Sequence, residues 1–234
     1  MIGLDGDDTL WHSEVYFDRT QSRFREILSA HLGSDVDPQV DVMAALEHTE
    51  QRNLKIFGYG IKGFTLSMVE AAIELTGGRI PADEIGELLA AGREMLTHPV
   101  DLLDGVAEGI DQLVDASYRL VLVTKGDLHH QELKIAGSGL EEKFERIEIV
   151  AEKDTLTYRK VIDRMDVQPT EFCMVGNSVR SDVLPVLALG GRAVHIPYHL
   201  TWAHEHAEHD GTVPTLASFS ELPGWLAEHG GRTA

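Results

Sequence analysis

Apolar residues come in two distinct rhythms along this chain. Short unbroken runs occur at Ile2–Leu4, within SYRLVLVTKGD, within RIEIVAEKD, within FCMVGNSVRSD and within GRAVHIP, and each ends in polar residues. Runs of this length predict buried strands, with Arg119 to Val123, Ile147 to Val150 and Phe172 to Val175 as the middle three and Pro197 closing the last. Between them, LHHQELKIAGSGL reads as a helix stopped by Gly137 and Gly139, and helical patterns follow at 155–166 and 180–189. Strands alternating with helices predict right-handed crossovers and a doubly wound α/β architecture, a parallel sheet covered on both faces.

The stretch from Ser13 to about His98 has the other rhythm. Phe17, Phe24, Ile27 and Leu28, and later Leu66, Val69, Ala72 and Ile73, recur at helical spacing. Breaks fall at Gly33 to Pro38, Gly58 to Gly63, Gly77 to Pro81 and Pro99. The pattern predicts an insertion of roughly four helices. The expected organisation is an α/β core from 1–12 and 99–234 and a helical domain from 13–98. The first strand, only Ile2 to Leu4 before Asp5, raises the question whether residues precede Met1.

Composition narrows the class. With 43% apolar residues over 234 positions the chain can bury a sizeable core. Thirty-nine acidic against 20 basic residues give a formal charge of −19, which disfavours nucleic acid and anionic membranes as partners. No apolar run approaches the ~20 residues of a membrane span. The single cysteine, Cys173, allows no internal disulfide, and these features together favour the cytoplasm as the expected location. Oligomeric state stays open.

In a doubly wound sheet, ligands gather at the carboxyl ends of the strands. The polar residues that follow the strands are Asp5, Asp7 and Thr9; Thr124, Lys125 and Asp127; Lys153; and Asn177, Ser178 and Asp182. Carboxylates as close as Asp5, Asp7 and Asp8 repel one another unless a cation or a strong donor set lies among them. A solvated Asp-rich turn, a helix-capping Thr and a surface Lys are the plain readings of each feature alone. GYGIKGF, from Gly58 to Phe64, suits a loop near a ligand or an interhelical turn. His204, His206 and His209 in TWAHEHAEHD form a cluster of the kind that a chain with 12 His produces readily, and a zinc site there is not expected.

In order and placement, DGDDT, VTKGD, EKD and GNSVRSD resemble the four motifs of the haloacid dehalogenase-like hydrolase superfamily, and the insertion is similar to that family's helical first-type cap. The run GNSVRSDVLPVLALGG is similar to capped phosphatases whose last motif reads GDSxxxD. The resemblance implies a phosphomonoester hydrolase acting on a small phosphorylated metabolite through an aspartyl-phosphate. Asp5 matches the nucleophile and Asp7 the acid/base. Thr124 matches the residue that binds a phosphoryl oxygen, with Lys125 and Gly126 beside it, and Lys153 the charge-balancing lysine. Asp182, with Asp5 and the carbonyl of Asp7, matches a Mg²⁺ site. Asn177 stands where the family usually has an acid, as a weaker ligand or the holder of a metal-bound water. Lys62 in the insertion is the candidate substrate contact, whereas Lys125 either touches phosphate or faces solvent. Two rival readings are a haloacid dehalogenase, which needs neither Asp7 nor the metal, and a catalytically weak phosphate-binding protein.

Overall fold

The computed structural model describes residues 1–31, 42–200 and 213–229; His204, His206, His209 and the Gly33–Pro38 break lie outside them. In chain order they form β1 (Ile2–Leu4), α1 (Glu14–His31), α2 (Val42–Phe57), α3 (Ile61–Leu75), α4 (Ala82–Thr97), α5 (Val106–Asp115), β2 (Leu120–Lys125) and α6 (Leu128–Ser138). There follow β3 (Arg146–Val150), α7 (Thr155–Arg164), β4 (Cys173–Gly176), a π turn at Val179–Val183, α8 (Leu184–Leu187), β5 (Arg192–His195) and α9 (Leu222–His229). The chain packs as two units, one of Met1–Glu14 with Val100–Ala234 and one of Val15–Pro99.

In the first unit the sheet order is β3-β2-β1-β4-β5, with every pair parallel. Alternate residues of each strand face opposite layers, as the two-residue period of a strand requires. Leu120 and Leu122 join Ile2, Leu4 and Val175 under Ile110 of α5 and Leu226 of α9. Val121, Val123 and Met174 meet Tyr158 and Ile162 of α7 and Val186 of α8. From β1 the chain first builds outward through β2 and β3, then returns to the other side for β4 and β5. The switch point therefore lies between β1 and β4, where this fold class opens its ligand crevice. Leu4 is level with Leu122 and Val175, so the residues after these three strands emerge along one edge.

Three local expectations change. Thr124 and Lys125 belong to β2, not to a following loop, because they pair with Ile149 and Val150. Gly137 does not stop α6: it sits inside the helix, close to Val100, and the stop is Gly139 with φ 70° in the left-handed conformation. An interior glycine costs a helix roughly 1 kcal/mol, which packing readily offsets, whereas a left-handed cap ends it. The helix expected at 180–189 opens as a π turn because Pro185 has no N–H to give back to the preceding turn.

The second unit is helical. Phe24 and Leu28 of α1, Leu46 of α2, Phe64 and Met68 of α3 and Leu88 and Met95 of α4 share one apolar core. Gly92 lets α4 lie against Thr65, whose hydroxyl would be 2.1 Å from a Cβ there. The GYGIKGF segment is a turn only through Gly60; Ile61 already begins α3. Gly58 and Gly60 have φ of 71° and 109°, and a Cβ on Gly63 would be 2.9 Å from the Gly58 carbonyl oxygen. The turn itself therefore accounts for all three glycines. Lys62 is exposed on the first turn of α3.

Candidate active site

Immediately after β1 the chain makes a tight turn, with the amide of Leu10 donating to the Gly6 carbonyl at 2.8 Å and that of Asp8 to the Trp11 carbonyl at 2.7 Å. The Trp11 ring packs so closely on Gly6 that a Cβ there would be 2.7 Å from it, which explains the glycine between Asp5 and Asp7. Asp8 holds the left-handed φ of 60° that Asp and Asn tolerate better than most residues. Its carboxylate accepts from the amides of Ser13 at 2.9 Å and Glu14 at 3.0 Å, an N-terminal cap for α1 reached from outside the helix.

Burial first, and then the charge of Asp7, push the Asp8 carboxyl up to about 7 against the pull of the Glu14 and Ser13 amides. A carboxyl raised above its ordinary value of 3.8 contributes fully at low pH and loses that contribution as pH climbs toward about 7. Asp8→Asn keeps an oxygen for both amides without the charge. It should melt higher than the parent at about pH 8, and the gap should narrow to less than half at about pH 5. Thermal melts at both values check this, and a gap independent of pH would contradict the burial argument.

Asp5 is 6% exposed and its two oxygens have different neighbours. Oδ1 accepts a short bond from Lys153 Nζ, and Oδ2 accepts from Thr9 Oγ1 at 3.3 Å. Lys153 Nζ also donates to Asp182 Oδ1 at 2.7 Å, so one buried ammonium bridges two buried carboxylates. Burial and the Asp182 charge raise the Asp5 carboxyl, and Lys153 opposes them. Burial alone would lower the Lys153 ammonium, but Asp182 and Asp5 outweigh it and hold the group above the ordinary lysine range.

Asp182 is fixed by Tyr158 Oη at 3.3 Å and by the Ser178 amide at 3.0 Å. Its carboxylate folds back over Gly176, where a Cβ would lie 2.2 Å from Oδ2. That contact explains the glycine of GNSVRSD. The Asn177 amide lies 3.1 Å from Asp5 Oδ2 and 3.3 Å from the Asp7 carbonyl oxygen, and with its nitrogen inward it donates to both. With its oxygen inward, the Asn177 and Asp5 oxygens accept from the Thr9 hydroxyl at 3.4 and 3.3 Å and cluster with the Asp7 carbonyl, an oxygen set that suits a hard cation. Among the described residues no group of three His, Cys, Asp or Glu side chains could hold a metal, so a cation here would draw on carbonyl and amide oxygens as well as Asp5 and Asp182.

Thr124 is fully buried and its hydroxyl has no hydrogen-bond partner. Leaving a buried hydroxyl unpaired is costly, and such a group commonly awaits a ligand. Lys125 is turned inward, 13% exposed, with Nζ 3.4 Å from Ser181 Oγ and 3.6 Å from the Glu152 carboxylate. Gly126 has φ 147°, and the Gln131 amide passes 3.0 Å from where its Cβ would be. Asp7 is held by Trp11, Lys134 and Gln131. Burial raises its carboxyl, but Lys134 and then the other two donors outweigh that and hold it below the ordinary range. The candidates Asp5, Asp7, Thr124, Lys125, Gly126, Lys153, Asn177 and Asp182 all lie in the α/β unit, and Lys62 lies in the helical one. Trp11, Gln131 and Lys134 are additions: Gln131 and Lys134 stand three apart on α6, the helix that follows β2, a spacing that puts both on one helix face.

No helix among the described residues is long and apolar enough to cross a membrane. No curated protein matches the chain. Among solved structures, a haloacid dehalogenase-like family hydrolase from Xanthomonas campestris is 45% identical with a TM-score of 0.82, over 97% of this chain and 90% of that one. The Bacillus subtilis protein YfnB, in a crystal form bound to magnesium, is 16% identical with a TM-score of 0.65, over 96% and 97%. The L-2-haloacid dehalogenase from Xanthobacter autotrophicus, with chloropropionic acid covalently bound, is 15% identical with a TM-score of 0.61, over 100% and 98%. The family described as haloacid dehalogenase-like hydrolase matches residues 2–190, and the chain is an enzyme that belongs to it.

Proposed function

We propose that the protein is a Mg²⁺-dependent phosphomonoester hydrolase that acts on a small phosphorylated metabolite through an aspartyl-phosphate. The observation that carries this reading is the bridge from Lys153 to Asp5 and Asp182 beside the unpaired hydroxyl of Thr124. A halide-displacing enzyme has no need of a second carboxylate at Asp7, because halide departs without a proton.

An oxygen of Asp5 attacks phosphorus as the bond to the leaving oxygen breaks, which divides the hydrolysis into two displacements. Lys153 offsets charge gathering on Asp5 and the phosphoryl group, and the Thr124 hydroxyl donates to a phosphoryl oxygen. Asp7, which Lys134, Gln131 and Trp11 hold below the ordinary carboxylate range before substrate binds, takes up a proton from solvent as the anionic substrate enters and delivers it to the leaving oxygen. It then takes a proton from the water that attacks the phosphorus and frees Asp5. Asp5, the Asp7 carbonyl, Asp182 and Asn177 would hold Mg²⁺, which supplies Lewis-acid polarisation of the phosphoryl group. Lys125 and Gly126 complete the phosphate contacts. The helical unit serves as the specificity cap, with Lys62 as its candidate cation for an anionic part of the substrate.

Release of inorganic phosphate from a panel of phosphomonoesters, measured with Mg²⁺ and with a chelator, tests the reading. Phosphate release that stops on chelation is expected. Chloride release from 2-chloropropionate without metal would transfer the protein to the dehalogenases, and neither product would leave it as a phosphate-binding member of the family.

A further inference from the structure

The Asp7 carboxylate is clasped by three donors. Trp11 Nε1 donates to Oδ1 at 2.6 Å, Lys134 Nζ to the same oxygen at 2.7 Å, and Gln131 Nε2 to Oδ2 at 2.9 Å. Lys134 also donates to Ser13 Oγ at 3.2 Å, and Gln131 to the Lys125 carbonyl at 3.2 Å. The two side chains thus tie α6 both to the turn after β1 and to the end of β2. Gln131 is 2% exposed and the Lys134 side chain 13%.

Two donors on one oxygen and a third on the other fix the plane of a carboxylate, which a single surface ion pair does not. One lone pair of Oδ2 is left for a further partner. Proton exchange with a leaving group requires that the exchanging oxygen be held to within a fraction of an ångström. We propose that Lys134 is a positioning residue for the leaving-group step, orienting the Asp7 carboxylate with the help of Gln131. This rests on the phosphatase reading given above.

The test is a double-variant cycle of Lys134→Met and Asp7→Asn, read as kcat/KM on an alkyl and on an aryl phosphate. This ratio reports the steps through departure of the leaving group. Lys134→Met should lower kcat/KM on the alkyl ester by on the order of tenfold or more, and on the aryl ester by much less, because an aryl oxide departs with little protonation. Lys134→Arg should regain part of the loss. In the Asp7→Asn background, Lys134→Met should change nothing further. Equal losses on both esters, losses that multiply in the double variant, or no loss would overturn the proposal. If the methionine variant fails to fold, Gln131→Leu reads the same coupling, with the same outcomes on either side. A parent enzyme that releases no phosphate from any ester overturns the phosphatase reading instead, and does so before a variant is made.

Discussion

Asp5→Asn is expected to remove turnover by a factor of at least ~10⁴ while the protein folds and melts much as the parent does. The amide matches the carboxylate in shape but cannot attack phosphorus. Its surroundings accept the exchange: the amide oxygen can face Lys153, and the amide nitrogen then faces Thr9 Oγ1 and the Asn177 amide, whose oxygen accepts. Burial and the neighbouring Asp182 already disfavour a charge on Asp5, so a neutral group there costs the fold little. Acid-quenched reactions with a labelled phosphomonoester should trap phosphate on the parent and none on the variant. Turnover above a few per cent, in a preparation cleared of contaminating phosphatases, would remove Asp5 from the nucleophile's place.

Much of the frame behind that expectation was legible in the sequence. Strands buried on both faces are near-continuous apolar runs, and LVLV and CMV can hardly be anything else once turn residues bound them. The convergence of Asp5, Thr124, Lys153 and Asp182 followed from a topology that brings strand ends to one edge. What escaped was set by pairing and by distant contacts. Thr124 reads as a loop residue until β3 pairs beside it. Nothing local in the sequence gives a reason for Gly6 or Gly176, yet the first makes room for the Trp11 ring and the second for the Asp182 carboxylate. Gln131 and Lys134 look like an ordinary polar face of an amphipathic helix, because nothing local says that Asp7, more than a hundred residues earlier, lies opposite them. In GYGIKGF the glycines suggested a ligand, but left-handed φ values and a carbonyl close to Gly63 explain them without one.

Lys153→Met should damage both stability and activity, and the pH dependence of the damage separates charge from packing. The Lys153 side chain is 3% exposed, and removing its ammonium leaves Asp5 and Asp182 buried without their shared cation. Breaking a buried pair by deleting one partner typically costs ~3–5 kcal/mol, so the variant should melt roughly 10 °C or more below the parent in chelator. The Asp5 carboxyl, which burial and the Asp182 charge already raise, loses the cation that opposed them and binds a proton more readily folded than unfolded. That contribution is intact below the ordinary carboxylate range and is lost as pH rises from there through the raised value of the folded state, so the deficit should be larger at about pH 8 than at about pH 5. Added Mg²⁺ should raise the melting temperature of the variant more than that of the parent, since a cation bound only to the folded form restores part of the missing charge. Turnover should fall by at least ~10³ at every pH, because the phosphoryl charge loses its buried partner. A deficit of the same size at both pH values, untouched by Mg²⁺, would mean that Lys153 matters for its packing, and the counter-ion role would have to be given up.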